Sequence, residues 1–249
     1  MYKLFLLLLL APLAAAQTLR LAAAADLQPV MPPILQEFEA KSRIHVDASY
    51  QSSATLTTQI QNGAPFDLFM AADLSFPQRI VAAGLADSDQ PVAYARGTLV
   101  LWTRNDSPFR QLSVDTLRDP ALKTIAIANA EHAPYGRAAE SSLKSLRLYD
   151  QLKPKFVTAE NIAQTAQYVD SGNAQVGLIS LTSALTERLH ASGHYIVMPR
   201  DSYPPILQGA VVLKNSANRT AAHQLLDFLM SPAVQKELAA RGLEPAQTH

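Results

Sequence analysis

The sequence predicts an α/β fold of two lobes, each a mostly parallel sheet flanked by helices, and three observations predict it. Short apolar runs alternate with segments of helical period throughout the chain, as parallel strands joined by crossover helices do. Helical segments close on Gly63, Gly84, Gly172 and Gly242, where a helix C-terminus favours left-handed backbone. Two connection-like stretches, 88–95 and Pro204-Pro205, have more α/β pattern on both sides. Two such connections are what a two-lobed chain needs if one lobe is built from both ends of the sequence. Periodicity alone does not divide the chain, and its length suits one domain or two.

Each element follows from local pattern. Residues 18–22 read as a strand, and 33–41 as a helix with Ile34, Leu35 and Phe38 on one face. Strand alternation at Ile44, Val46, Ala48 and Tyr50 leads into a helix over 53–62 that buries Leu56 and Ile60. The apolar run 66–71 is a buried strand, followed by a helix over 76–83. Strands follow at 98–102 and 124–128, then a helix over 135–146. A short strand at 156–158 precedes a helix over 161–171, and 176–180 is a buried strand. A helix over 181–189 and strands at 195–198 and 206–213 come next, and helices over 220–230 and 232–240 complete the pattern.

The first sixteen residues belong to another category. Met-Tyr-Lys3, the apolar run 4–10 and the small residues Ala14-Ala15-Ala16 read as a secretory signal peptide, too short to span a bilayer. Cleavage after Ala16 leaves a chain that starts at Gln17 and is exported. The absence of cysteine excludes disulfides, thiolate metal sites and a lipidated cysteine anchor. With 21 basic and 21 acidic side chains, the chain lacks the basic footprint of a nucleic-acid binder or a polybasic membrane segment.

Four strand-to-helix corners carry small or polar residues. Ala22 to Ala25 lead the first strand out to Asp26, a candidate N-cap. Ser52 and Ser53 open the helix after the second strand, with Ser53 at the N-cap position, where N–H groups and the helix dipole favour an anion. His132-Ala-Pro134-Tyr135-Gly136 and Glu160-Asn161-Ile162 open two more helices. One such corner by itself is commonly an ordinary cap. Four at the carboxyl edge of parallel strands, where open α/β folds bind ligands, favour a small anion held by N–H and hydroxyl donors.

Enzyme readings find less support. The six histidines, His45, His132, His190, His194, His223 and His249, show no metal-ligand spacing. No nucleophile elbow, phosphate-binding P-loop or dinucleotide fingerprint is present. A hydrolase using Ser52 or Ser53 lacks an identifiable base, and Asp67 and Asp73 flank a strand as caps rather than as an acid–base pair.

In order, A-A-A-A-D-L, S-S-A-T-L-T-T-Q-I-Q-N-G-A-P-F-D-L-F, E-H-A-P-Y-G, T-A-E-N-I and S-G-N-A-Q-V-G-L-I-S resemble the periplasmic molybdate-binding protein family of ABC importers, over essentially the whole mature chain. The resemblance implies a two-lobed periplasmic binding protein of the class II type. Its expected lobes are 17–95 plus 207–249, and 96–206. It implies a periplasmic, non-enzymatic monomer without a cofactor, which passes molybdate or tungstate to a membrane permease driven by an ATPase. The metal is bound as its oxyanion, not as a bare cation.

In residue terms, the resemblance assigns anion contacts to Ser53, to Tyr135 after the proline of E-H-x-P, to Ile162 through its N–H, and loosely to Ser180, where some members have tyrosine. Asp26 departs from the serine or threonine common in the family. An ionised carboxylate only accepts hydrogen bonds and repels a dianion. The expectation is that its side chain turns away to cap its helix while its N–H serves the anion. The alternatives are a protonated Asp26 or another oxyanion, such as sulfate, thiosulfate or phosphite. Pro29, Pro32 and Pro33 are expected to delay or kink the helix that follows.

Overall fold

Apolar runs too long to leave one face in water form strands covered on both faces. The computed structural model describes residues 18–246, so the predicted leader lies outside the described residues. The strands are β1 (Thr18–Ala24), β2 (His45–Gln51), β3 (Leu68–Ala71), β4 (Val92–Gly97), β5 (Leu99–Arg104), β6 (Ile125–Ala128), β7 (Phe156–Ala159), β8 (Val176–Ser180), β9 (Gly193–Val197) and β10 (Ile206–Val212). They form two five-stranded sheets, ordered β2-β1-β3-β10-β4 and β7-β6-β8-β5-β9.

The pairings make the two sheets alike. In the first, β1 runs parallel to β2 and β3, while β10 is antiparallel to β3 and β4. In the second, β6 runs parallel to β7 and β8, while β5 is antiparallel to β8 and β9. Each sheet therefore has one reversed strand in its fourth position. The chain leaves the first sheet through Thr98, between β4 and β5, and returns across 198–205 into β10.

The longer helices lie on the sheet faces as the periodicity predicts. In chain order they are α1 (Met31–Ser42), α2 (Ser53–Gln61), α3 (Ser75–Ala82), α4 (Pro134–Ser145), the single turn α5 (Tyr149–Leu152), α6 (Ile162–Asp170), α7 (Leu181–Ala184), α8 (Glu187–Ser192), α9 (Arg219–Met230) and α10 (Pro232–Ala240). One face of the first sheet packs Leu19 and Leu21 against Ile34 and Phe38 of α1 and Leu225 and Leu229 of α9. Its other face packs Phe69 and Val211 against Leu56, Ile60, Phe76 and Ile80 of α2 and α3. In the second sheet, Leu101, Ile127 and Leu178 meet Leu143 of α4, and the buried Trp102 sits with Val169 of α6 on the opposite face. Each such large side chain contributes about 1.5–3 kcal/mol when fully buried.

Three local expectations need correction. The 88–95 stretch is only partly a connection, because β4 occupies Val92–Gly97. The helix expected over 181–189 is two short ones, interrupted at Leu185 and Thr186, where the Thr186 hydroxyl caps α8. Pro32 and Pro33 neither delay nor kink α1, which starts at Met31. They occupy its first turn, where a missing N–H costs no helical bond.

Candidate anion-binding site

The carboxyl ends of β1 and β2 in one lobe face those of β6 and β7 in the other. Each of the four strands runs into a helical turn, and their first residues enclose one cavity of about 190 Å³, mouth included. Pockets for drug-sized ligands hold roughly 300–1,000 Å³, whereas the space open here to the centre of a water-sized sphere is about 10 Å³, so this one suits a very small ligand. Asp26 and Ser53 line it from the first lobe, and Tyr135 and Ile162 from the second. The alanines Ala24, Ala25, Ala72 and Ala133 let the corners approach. No lysine or arginine is among its lining residues.

At the second corner the two serines divide the work differently from the sequence expectation. Ser52, not Ser53, is the N-cap of α2, its Oγ accepting from Thr55 N–H at 3.1 Å. Ser53 is the first helical residue, and its buried Oγ accepts from Ala72 N–H at 3.1 Å. A hydroxyl that accepts this bond keeps its own proton to donate. Asn161 caps α6 by accepting from Gln164 N–H at 3.0 Å, which places Ile162 N–H among the first-turn donors that lack an intrahelical acceptor. The start of α4 has no side-chain cap. It packs so tightly on β6 that a Cβ on Gly136 would lie 2.4 Å from Ala128 O.

Asp26 contradicts the capping expectation. It lies within a 3₁₀ turn, Ala25–Leu27, whose N-cap is Ala24 and which has no side-chain cap. Its carboxylate is wholly buried, accepting at Oδ2 from the Gln208 amide, while Oδ1 makes no well-formed hydrogen bond among the described residues. Burial pushes its pKa up from 3.8 to about 6, only partly offset by the Gln208 amide and the Tyr135 phenol. Tyr94 Oη donates to Gln208 Oε1 at 2.6 Å, which turns the amide nitrogen toward Asp26. Burial, and then the charge of Asp26, raise both Tyr94 and Tyr135 well above 10, so both phenols keep their protons. The Tyr135 phenol fits against β4 because residue 97 is glycine: a Cβ there would lie 2.2 Å from Tyr135 Oη.

Ser180 is not brought to the cavity. Its Oγ is buried behind Asp26, capping α7 by accepting from Ser183 N–H at 3.2 Å and lying 2.8 Å from Thr182 Oγ1. Sequence reasoning missed Gln208 and Gly97. The signal for Gln208 was a lone amide in the apolar strand Ile206–Val212; the strand's pairing with β4 shifts register between Gln208 and Gly209, the kind of irregularity that re-aims a side chain.

Several contacts hold the lobes together around the cavity. Thr182 Oγ1 donates to Asp26 O at 2.8 Å, and Ala54 N–H donates to His132 O at 3.2 Å. Arg137 of α4 pairs with Asp73. Glu160, itself 2.8 Å from His132 Nδ1, accepts from Ser52 and Thr55 hydroxyls at 3.4 Å.

A family profile described as bacterial extracellular solute-binding protein matches residues 19–244. The chain is 35% identical over 234 residues to the molybdate-binding protein ModA of Azotobacter vinelandii, covering 94% of this chain and 92% of that one. It is 36% identical over 195 residues to the protein of the same name from Rhodobacter capsulatus, covering 78% and 75%. Its fold superposes on the solved periplasmic molybdate-binding protein of Azotobacter vinelandii with a TM-score of 0.87 at 28% identity, covering 92% of this chain and all of that one.

Proposed function

Because the chain belongs to the bacterial extracellular solute-binding protein family, we propose that it captures molybdate or tungstate between its lobes and delivers the anion to an ABC permease. The observation that carries this reading is the convergence of four helix starts, two from each lobe, on one small cavity without a lining cation. Such corners offer hydroxyls and N–H groups to an oxyanion without a full counter-charge. Ser53 and Asp26 act from the lobe formed by 17–95 and 207–249. Tyr135 and Ile162 act from the lobe formed by 96–206. Ser180 supports the Asp26 corner from behind through Thr182. Closure about the two crossings brings the donors together, and an anion that contacts both lobes stabilises the closed state. The protein acts as a periplasmic monomer.

Chemistry at Ser53 has little support. Its Oγ accepts from a backbone N–H, and no histidine lines the cavity. Asp26 favours a second ligand reading, in which the same cleft takes another oxyanion such as sulfate, thiosulfate or phosphite.

Calorimetry and thermal unfolding with molybdate, tungstate and sulfate at about pH 6 test the reading. Molybdate at a hundredfold excess over Kd should stabilise the fold by about 2.7 kcal/mol, and sulfate should bind far more weakly. Ser53→Ala should weaken molybdate binding by about 1.5–3 kcal/mol, the worth of a hydrogen bond to a charged group. No heat and no shift with either molybdate or tungstate would overturn it.

A further inference from the structure

The strongest unexplained feature of the cavity is a buried carboxyl oxygen that makes no well-formed hydrogen bond, although the Tyr135 phenol lies close enough to stabilise the carboxylate. Asp26 is one of the residues that line the cavity, and its buried Oδ1 has no hydrogen-bond partner among the described residues. Its neighbours supply no cation. Gln208 of β10 and Tyr135 of α4 are neutral, and Tyr94 of β4 reaches it only through Gln208. The elements packed on its turn add none: α7 has no ionisable side chain, and the only charge on α6, Asp170, is held by Arg188. On β2, His45 and Asp47 stand at the end opposite Gln51, which is the end that meets β1 at Ala24. At the rim, Glu160 and Arg137 are already paired with His132 and Asp73.

A dianion placed here would meet an oxygen that can only accept while the carboxyl is ionised. Oδ2 is committed to the Gln208 amide, so a proton on Asp26 resides on Oδ1, the one position from which it can be donated to a ligand. We propose that Asp26 is the proton-coupling residue of this cleft: it joins the complex as a neutral acid donating Oδ1–H to the anion, so that each oxyanion is captured together with one proton from solvent. The inference rests on the anion-capture reading above and deepens it.

The free site is half competent near pH 6, where Asp26 titrates. Above that pH the affinity falls tenfold per unit, until the higher pKa of Asp26 in the complex is reached. Asn at this position reproduces the neutral acid: its Oδ1 takes the Gln208 amide and its Nδ2 faces the anion.

Titration calorimetry with molybdate from about pH 5.5 to 8.5, in buffers of different ionisation enthalpy, tests this on the wild-type protein, Asp26→Asn and Asp26→Ser. The wild type should lose about 50-fold in affinity between about pH 6 and pH 8, as the competent fraction falls, and should take up close to one proton per anion at the upper end. Both variants, checked for folding by circular dichroism, should bind with no such slope. A wild-type affinity that stays level, or a slope that the variants reproduce, would overturn the role of Asp26 while leaving anion capture standing. Absence of binding by the wild type at every pH, with sulfate and phosphate tried alongside, would instead overturn the capture reading, and this inference with it.

Discussion

Asp26 gains from acid where most aspartates lose. Its folded pKa is raised from 3.8 to about 6, so its contribution to stability is fully present below pH 3.8 and is lost as pH rises through 6. A shift of about two units corresponds to roughly 3 kcal/mol lost by pH 8. Asp26→Asn has no such charge to bury. Denaturant unfolding without ligand should therefore show the variant drawing ahead of the wild type from pH 4 to pH 8 by about 3 kcal/mol; a constant difference would contradict the buried, unpaired carboxyl. The sequence marked Asp26 as the odd residue of its corner but misjudged its direction. A cap is a local bond that can be read from neighbours, whereas the partner of Asp26 is Gln208, distant in sequence and on another strand. Ser52 and Ser53 show the same limit on a smaller scale. Either could cap α2 by spacing, and only the position of Ala72 N–H assigns Ser53 its other bond.

At the scale of elements, the corners were legible because strand-to-helix junctions announce themselves by the change of period from two to 3.6. The starts of α2, α4 and α6 fall within a residue or so of where the pattern put them. β4 was not legible as a full strand, because Asp87 to Pro91 reads as a loop and the strand that pairs with it, β10, lies far along the chain. Yet β4 sets the depth of the site through Gly97. In Gly97→Ala the new methyl would overlap the Tyr135 hydroxyl, 2.2 Å away as the structure stands, and the phenol must withdraw. Overpacking of this kind costs about 1–3 kcal/mol. Anion affinity measured by calorimetry should fall by at least tenfold, with the far-ultraviolet circular dichroism of the fold retained. Unchanged affinity would show that the phenol is not needed where it sits.

For the molecule as a whole, the Arg137–Asp73 pair joins the lobes beside the site with both partners partly exposed, 38% and 20%. Solvent screening limits such a pair to about 1 kcal/mol. Arg137→Gln should leave the stability of each lobe nearly unchanged but weaken anion binding severalfold, because the closed state becomes less populated. A cycle with Asp73→Asn separates this from a general loss of charge: if the two substitutions are independently additive in binding energy, the pair does not assist closure. The division into two sheets was foreshadowed by the connections, but which strands are reversed was not, since strand direction leaves no mark on periodicity.

The placement of β10 between β3 and β4 has a consequence for the order of assembly. As the chain emerges from synthesis, residues 99–197 already contain every strand of the second sheet. β4 sits at an edge and pairs with β10, apart from an isolated bridge between Arg96 and Glu244, so the first sheet stays unfinished until residues 206–212 arrive. The half-made species therefore has every strand of its second sheet but an open, unpaired edge in its first, the kind of surface on which partly folded chains aggregate or recruit chaperones.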